Sequence, residues 1–561
     1  MIWSGWRAFF RAPSHTAAPT GLRLAIAAVS GAALSLSYTG FYLSIYSWIC
    51  IGVLLAVLLD ARARVAFACG FLHGLFFCLT SLPWIATVLA VHGGLSRVTG
   101  WALLLLMASA WGTLTGAFGW TIYLLARRNI AYACIGAPFL WVALEFFRAH
   151  LPEIGFPWNL LGYPASTNLG LLQLTTITGI YGLSFLVASF NALLAWTFEA
   201  QYDRSAAAAS PNSKRRIILL AAATAFLVIA MTVGKRLVPT PGTNHLARAV
   251  QVNFPESPVY TADWFASHSA DLREINRLSL VPGKRQPDLL VWPEAPAPFS
   301  FQDPQFAAMA SSLASRFHHP FLVGAIEWKA VQGSASSAAN AIPAPYNSAL
   351  LFDAQGRRVF SYDKIHLVPF GEYEPFPLIH RLVNGVSDEV GGFHKGQTYA
   401  VAPLPGGYSF AVFICYEAIF PNEVRRFAIN GAQLFVNISN DGWFGRSAAP
   451  EQHLRMARVR AVENRRWIVR ATNNGYTLSI DPYGRIIAAL PPDVRAAADL
   501  PYDFRTDTTI YTRFGDWFAW LCVLVSVILV AATFWKGKIS RENIPAATEL
   551  LASSFVVSDP V

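Results

Sequence analysis

Eight runs of about 20 apolar residues shape this chain, and a run of that length lets one helix cross a hydrocarbon core of ~30 Å. They cover roughly 21–39, 42–60, 65–90, 99–126, 130–149, 171–198, 216–234 and 515–535. Between the last two lie some 280 residues of ordinary globular composition. Overall 54% of the residues are hydrophobic and 14% are charged, whereas soluble domains carry about 25% charge. The expected architecture is a membrane bundle carrying one soluble region large enough for its own core.

The formal net charge of +10 could point to nucleic acid, but its placement argues otherwise. Arg7 and Arg11 precede the first run, Arg62 and Arg64 follow the second, and Arg127 and Arg128 follow the fourth. Arg204, Lys214, Arg215 and Arg216 follow the sixth run, and Lys536, Lys538 and Arg541 follow the eighth. The alternate loops hold little beyond Arg97 and Arg148. By the positive-inside rule both termini are expected in the cytoplasm, and seven crossings then put 235–514 outside. The expected parts are a bundle over 1–234, an outer domain over 235–514, and a last span with its tail over 515–561. The first run reads as a retained anchor rather than a signal peptide, because it is long and more spans follow. The Ala/Ser stretch near 205–212 and the GSASSAAN loop at 333–340 read as connectors.

Of six cysteines, Cys50, Cys69, Cys78, Cys134 and Cys522 fall inside the apolar runs, where a thiol acts as a small hydrophobe. Cys415 alone lies in the outer region, and in an oxidising compartment a cysteine without a partner is not expected to be structural. Short apolar runs bounded by Pro, Gly, Asn and Asp recur there: 247–254, 288–293, 321–327, 348–353, 410–416, 434–439 and 477–481. These read as buried strands. Helical patterns at 261–280, 303–317 and 451–466 alternate with them, so the region is expected to be α/β, with sheets covered by helices.

Three strand ends carry candidate chemistry. LLVWPEAPAP sets Glu294 between Pro293 and Pro296, on a stiff segment. SYDKIHLVPFGEYEPF supplies Lys364 and Glu372, and FICYEAIFP supplies Cys415, Tyr416 and Glu417. Taken singly, the glutamate reads as a solvated loop residue, the lysine as background and the cysteine as core. A free thiol is mostly protonated at neutral pH, so a nucleophilic cysteine needs a base and a nearby positive charge. Glu294 can supply the base and Lys364 the charge.

The order WPE, then K-x-H-L-V-P-F-G-E, then C-Y-E, with Glu463, Asn464 and Asn473 later, resembles the nitrilase superfamily. GFPWNLLGY (155–163), HLVPFGEY (366–373), ISNDGWFG (438–445) and RATNNGY (470–476), together with the spans, resemble the apolipoprotein N-acyltransferases. The resemblance implies an αββα sandwich on an eight-span bundle, with Cys415 as nucleophile, Glu294 as general base and acid, and Lys364 as electrostatic stabiliser. Glu372, Glu417 and Tyr416 would support them. Trp264, Asn347, Trp443, Phe444 and Arg466 would meet substrate, with Trp443 and Phe444 as an aromatic lip and Arg466 alternatively holding a helix end.

The implied reaction moves an acyl chain from a phospholipid, through a thioester on Cys415, to the α-amine of an S-diacylglyceryl-cysteine apolipoprotein. The expected setting is the bacterial inner membrane with the outer domain in the periplasm, the protein acting as a monomer without nucleic acid or cofactor. The histidines His318, His319, His366, His380, His394 and His453 show no metal-ligand spacing, so no metal is expected. Two other readings stay open. A membrane-tethered amidase would use the same three residues with water as acceptor, and a transporter or receptor would use the outer domain only to bind.

Overall fold

The computed structural model describes residues 18–39, 41–202, 211–255, 263–295, 297–330, 343–373 and 392–542. The 333–340 connector, most of the 205–212 stretch, Pro296, His380, Arg7, Arg11 and Arg204 lie outside the described residues.

Seven helices among the described residues are long and apolar enough to cross a bilayer: Thr20–Tyr38, Ala63–Ser81, Arg97–Ala126, Ile130–Ala149, Ile180–Glu199, Lys214–Leu237 and Trp517–Phe534. The expected span at 42–60 is not one such helix. It forms a 3-10 helix over Phe41–Trp48 followed by an α-helix over Cys50–Leu58. The backbone groups freed at that join are met by Asn191, whose amide donates to Ser47 O at 2.8 Å and accepts from Gly52 N at 2.7 Å. Apolar surroundings tolerate a broken helix only where such partners exist. Hydropathy alone misses this break because the residues on both sides are equally apolar. The 65–90 run is likewise two helices, since Pro83 lacks an N–H and opens a new one over Pro83–Val91.

Small residues draw the bundle together. A Cβ placed on Gly70 would lie 2.2 Å from Thr115 O, so Ala63–Ser81 and Arg97–Ala126 touch backbone to backbone.

The strands of the first sheet are β1 His245–Gln251, β2 Leu289–Val291, β3 Phe321–Ala330, β4 Pro343–Phe352 and β5 Arg358–Asp363. The second sheet holds β6 Ala402–Pro403, β7 Ser409–Ile414, β8 Leu434–Ser439, β9 Ile468–Thr472, β10 Leu478–Ile480 and β11 Ile486–Ala489. β12, Ala496–Tyr502, returns to the first sheet, giving orders β12-β1-β2-β3-β4-β5 and β11-β10-β9-β8-β7-β6. In each sheet the three central strands, β1-β2-β3 and β9-β8-β7, run parallel.

Side chains of both sheets share one core: Ala249, Val291 and Leu351 from the first meet Val412, Phe435 and Val469 from the second. The outer face of the first sheet buries Leu290, Trp292 and Val323 against Ile275 of helix Ser269–Leu280 and Leu313 of helix Pro304–Phe317. Val424 and Phe427 of helix Pro421–Ile429, with Leu454 and Ala457 of helix Ala449–Asn464, cover the second sheet. These are four layers, αββα. The opposite side of helix Ala449–Asn464 belongs to the bundle, where Met456, Val459 and Val462 pack in the core formed by the membrane helices.

Candidate active site

Parallel strands end at one edge of a sheet, and side chains just past those ends converge. Glu294 follows β2, Cys415 follows β7, Asn440 follows β8 and Asn473 follows β9. Beyond Val291 the chain leaves the sheet through Pro293, whose fixed φ stiffens the exit. It then rests directly on β3, because a Cβ on Gly324 would lie 2.6 Å from Glu294 Cα. The buried Glu294 carboxylate is gripped on both oxygens. Oε1 accepts from Lys364 Nζ at 3.0 Å and Asn347 Nδ2 at 2.8 Å, and Oε2 accepts from Asn440 N at 2.9 Å.

Lys364, just past β5, is 1% exposed and also donates to Glu372 Oε1 at 3.0 Å. Glu372 is fixed in turn by Asn347 Nδ2 at 2.7 Å and Val368 N at 2.7 Å. Burial alone would lower the lysine pKa, but Glu294 and Glu372 outweigh it and hold the ammonium well above its ordinary value. The site therefore keeps a permanent cation.

Cys415 opens the 3-10 turn Cys415–Ile419 with φ of 47°, in the left-handed region. A non-glycine residue there costs about 1–3 kcal/mol and persists only where its surroundings hold it. Burial pushes the thiol well above its usual range, the Glu294 charge adds to this, and Lys364 opposes it. The sulfur is thus a neutral thiol at rest, and Glu294 is the adjacent group able to take its proton. Iodoacetamide should therefore alkylate Cys415 at a rate that keeps rising beyond about pH 9, past the ordinary thiol pKa of about 8.5. Peptide mapping of alkylation against pH checks this, and a plateau near neutrality would show a preformed thiolate instead.

Glu417 does not touch the reacting groups. Its Oε2 accepts from Ile414 N at 2.6 Å, and its Oε1 accepts from Ile365 N at 2.7 Å, Tyr362 OH at 2.7 Å and His366 N at 3.2 Å. Burial raises its carboxyl to about 7, against the pull of these donors. Glu417 ties the end of β7 to the Lys364 loop, so it acts on the spacing of sulfur and ammonium. Tyr416 points the other way. Its ring stacks on Phe156 and meets Phe420 edge-on, with centroids 6.4 Å and 5.2 Å away. Cys415 lies in the core of the sandwich and Tyr416 in that of the bundle, so the two cores meet at one peptide bond.

The remaining candidates separate. Asn347 bridges the two carboxylates, as described. Phe444 packs on Trp84 and Trp158 at 5.1 Å and 6.0 Å, and Trp443 meets His92 at 4.9 Å, so their turn docks on the bundle. Trp264 is buried on the outer face of the first sheet, against Phe254, His268 and Phe299. Arg466 is buried among carbonyls, donating to Ala432 O at 2.6 Å, Asn464 O at 3.0 Å and Asp507 O at 2.6 Å. Nε and Nη1 thereby hold the end of helix Ala449–Asn464 and the chain around Asp507.

Several residues at the site lack a strong sequence signal. Asn440 and Asn473 lie inside the quoted ISNDGWFG and RATNNGY motifs, yet nothing in those strings assigns them to Glu294. Asn473 donates to Asn440 Oδ1 at 3.1 Å and to Phe254 O at 2.9 Å, which fixes the loop gripping Glu294. A cavity of about 260 Å³ lies on the bundle side of the Lys364 loop, lined in part by Leu151, Glu153, His366, Tyr373 and Phe420. Its polar groups meet one another, Glu153 with Lys395 at 3.0 Å and His366 with Glu423 at 2.9 Å. Among the described residues no group of three or more His, Cys, Asp or Glu could hold a metal ion.

Residues 246–501 match the model of the carbon-nitrogen hydrolase family. Set beside the seven apolar helices, this defines a class: a multi-pass membrane enzyme whose chemistry is carried by a carbon-nitrogen hydrolase fold. Residues 30–193 match the apolipoprotein N-acyltransferase N-terminal domain. The apolipoprotein N-acyltransferase of Geobacter metallireducens is 34% identical over 524 residues, 92% of this chain and 96% of that one. That of Allorhizobium ampelinum is 28% identical over 581 residues, 97% of this chain and 98% of that one. Among solved structures, Saccharomyces cerevisiae Nit3, of the nitrilase superfamily, is similar with 19% identity and a TM-score of 0.34, over 46% of this chain and 91% of that one. The chain belongs to the apolipoprotein N-acyltransferase family.

Proposed function

We propose that this acyltransferase moves an acyl chain from a phospholipid to the α-amine of an S-diacylglyceryl-cysteine apolipoprotein, through a thioester on Cys415. The observation that carries the reading is the buried thiol beside a doubly held carboxylate and a fixed ammonium. Sγ attacks the ester carbonyl carbon while Glu294 takes the thiol proton. The developing oxyanion is stabilised by Lys364. The C–O bond to glycerol breaks, Glu294 returns the proton to the leaving oxygen, and a lysophospholipid departs. The amine nitrogen then attacks the thioester, Glu294 accepts its proton, and the C–S bond breaks to restore the thiol and give an amide. Two half-reactions through one covalent intermediate give ping-pong kinetics.

A membrane setting supports transfer over hydrolysis, because both substrates carry acyl chains and a dry pocket keeps water from the thioester. The match to the N-acyltransferase N-terminal domain favours an amine acceptor over the amidase reading. The reading includes an eighth crossing over Phe41–Leu58. Eight residues of 3-10 helix at about 2.0 Å each and nine of α-helix at about 1.5 Å each cover roughly 30 Å, the thickness of the hydrocarbon core. Eight crossings, basic residues on alternate loops, and parts over 1–234, 235–514 and 515–561 support an inner-membrane protein with its sandwich in the periplasm. We take the working unit to be the monomer.

Trp443 and Phe444 form the lip between site and bundle. Replacing both with alanine should slow transfer about tenfold while leaving the thermal unfolding midpoint of the sandwich in place. Turnover equal to that of the unaltered protein would remove the lip role. The function itself is tested by depleting the protein in its host and weighing the N-terminal peptides of lipoproteins. Loss of one amide-linked acyl chain is expected, and unchanged masses would contradict the reading.

A further inference from the structure

Asp441, His453 and Arg470 form a buried cluster that the chemistry above does not use, each with a side chain no more than 1% exposed. His453 Nε2 lies 2.9 Å from Cys415 O. A carbonyl only accepts, so Nε2 carries a proton and donates it. His453 Nδ1 faces Asp441 Oδ1 at 3.1 Å and Arg470 Nη2 at 3.2 Å. Arg470 donates to Asp441 Oδ2 at 2.8 Å, and Ser439 Oγ donates to Asp441 Oδ1 at 2.8 Å. Ser439 also hydrogen-bonds the Cys415 side chain. One carboxylate thus aims both the group at the sulfur and the group on the carbonyl of the same residue. Burial opposes its charge, but Arg470 and His453 outweigh that and hold the carboxyl well below its usual range.

The cluster is braced from the bundle. Trp158 stacks on the His453 ring with centroids 5.8 Å apart, and its Nε1 donates to Gln452 Oε1 at 2.7 Å. Arg148, at the end of a membrane helix, donates to Trp158 O at 2.9 Å. The GFPW loop thereby fixes the imidazole from the side opposite the sheet.

We propose that His453, aimed by Asp441 and Arg470, is a positioning residue that holds the left-handed backbone of Cys415 and so the direction of its sulfur. The inference rests on Cys415 being the nucleophile. A left-handed cysteine relaxes once its carbonyl is released, and the sulfur then swings away from Glu294 and the ester. Such a change acts on the rate of acylation and leaves donor binding alone.

The test is single-turnover acylation of the purified full-length protein by phospholipid micelles radiolabelled in the sn-1 chain. His453→Leu should acylate about 100-fold more slowly, with the half-saturating donor concentration unchanged. His453→Gln, whose amide can still donate to Cys415 O, should recover about tenfold of that loss. Acylation by His453→Leu at the unaltered rate would overturn the proposal, as would equal defects in both variants or a loss confined to donor concentration. Should the leucine variant not fold, Asp441→Asn decides: slowing by about tenfold supports the proposal and an unaltered rate overturns it. Cys415→Ala run alongside separates the two ideas. Acyl transfer surviving there removes the nucleophile reading, whereas a dead Cys415→Ala beside a fully active His453→Leu removes only the positioning role.

Discussion

Replacing Cys415 with alanine should lower acyl transfer by about 10⁴-fold or more, because it removes the one thiol among the described groups at the site, and the nearby Ser439 hydroxyl is far harder to deprotonate. The loss should fall on the first half-reaction, with no lysophospholipid released even when acceptor is absent. The fold should survive. Cys415 sits in a core whose neighbours, among them Ile414, Ala418 and Leu454, remain, and removing one sulfur costs only about 1 kcal/mol of packing. Serine should fail as well, since a hydroxyl is far harder to deprotonate than a thiol. A release assay for lysophospholipid and a thermal unfolding curve on the same preparation separate chemistry from stability. Lysophospholipid release at the unaltered rate would place the nucleophile elsewhere.

Lys364→Met should combine the second-largest loss of activity with the largest loss of stability. Its ammonium is the shared counter-charge of Glu294 and Glu372, whose side chains are 8% and 13% exposed. Removing one partner of a buried ion pair costs about 3–5 kcal/mol, because the other charge stays buried without compensation. Losing the group that meets the oxyanion costs a further 10²–10³-fold in rate, by order of magnitude. Adding Glu372→Gln to Lys364→Met removes one of the stranded carboxylates and should restore part of the stability while leaving transfer dead. Chemical unfolding of the two variants checks this. Equal stability of single and double variant would show that Glu372 does not depend on the lysine.

What was legible in the sequence follows from which forces act locally. Buried parallel strands such as LFVNIS at 434–439 read directly, because a continuous apolar run has no other use in a polar region. β12, with AAADLPY, escaped because it is partly exposed and has no β-branched residue. Glu294 and Cys415 stood out because each closes a strand, one beside proline and the other as the outer region's lone thiol. Lys364 gave the weakest signal of the three, since a single lysine says almost nothing until it is set beside Glu294 and Cys415. The hub around Asp441 was out of reach. His453 and Arg470 stand 12 and 29 residues from Asp441 in the chain, and only the packing of helix on sheet brings them together. The break in the helical segment over Phe41–Leu58 was hidden for a similar reason, because the polar group that meets its join is Asn191 on another helix.

The most direct test of the central claim is to isolate the intermediate. The purified protein is incubated with phospholipid and no acceptor, quenched in acid, digested, and the peptide containing Cys415 is weighed. The account predicts one acyl chain on that peptide, lost on treatment with hydroxylamine and matched by one lysophospholipid released per protein. An unmodified Cys415 peptide alongside released lysophospholipid, or an acyl chain held on a different residue, would contradict it.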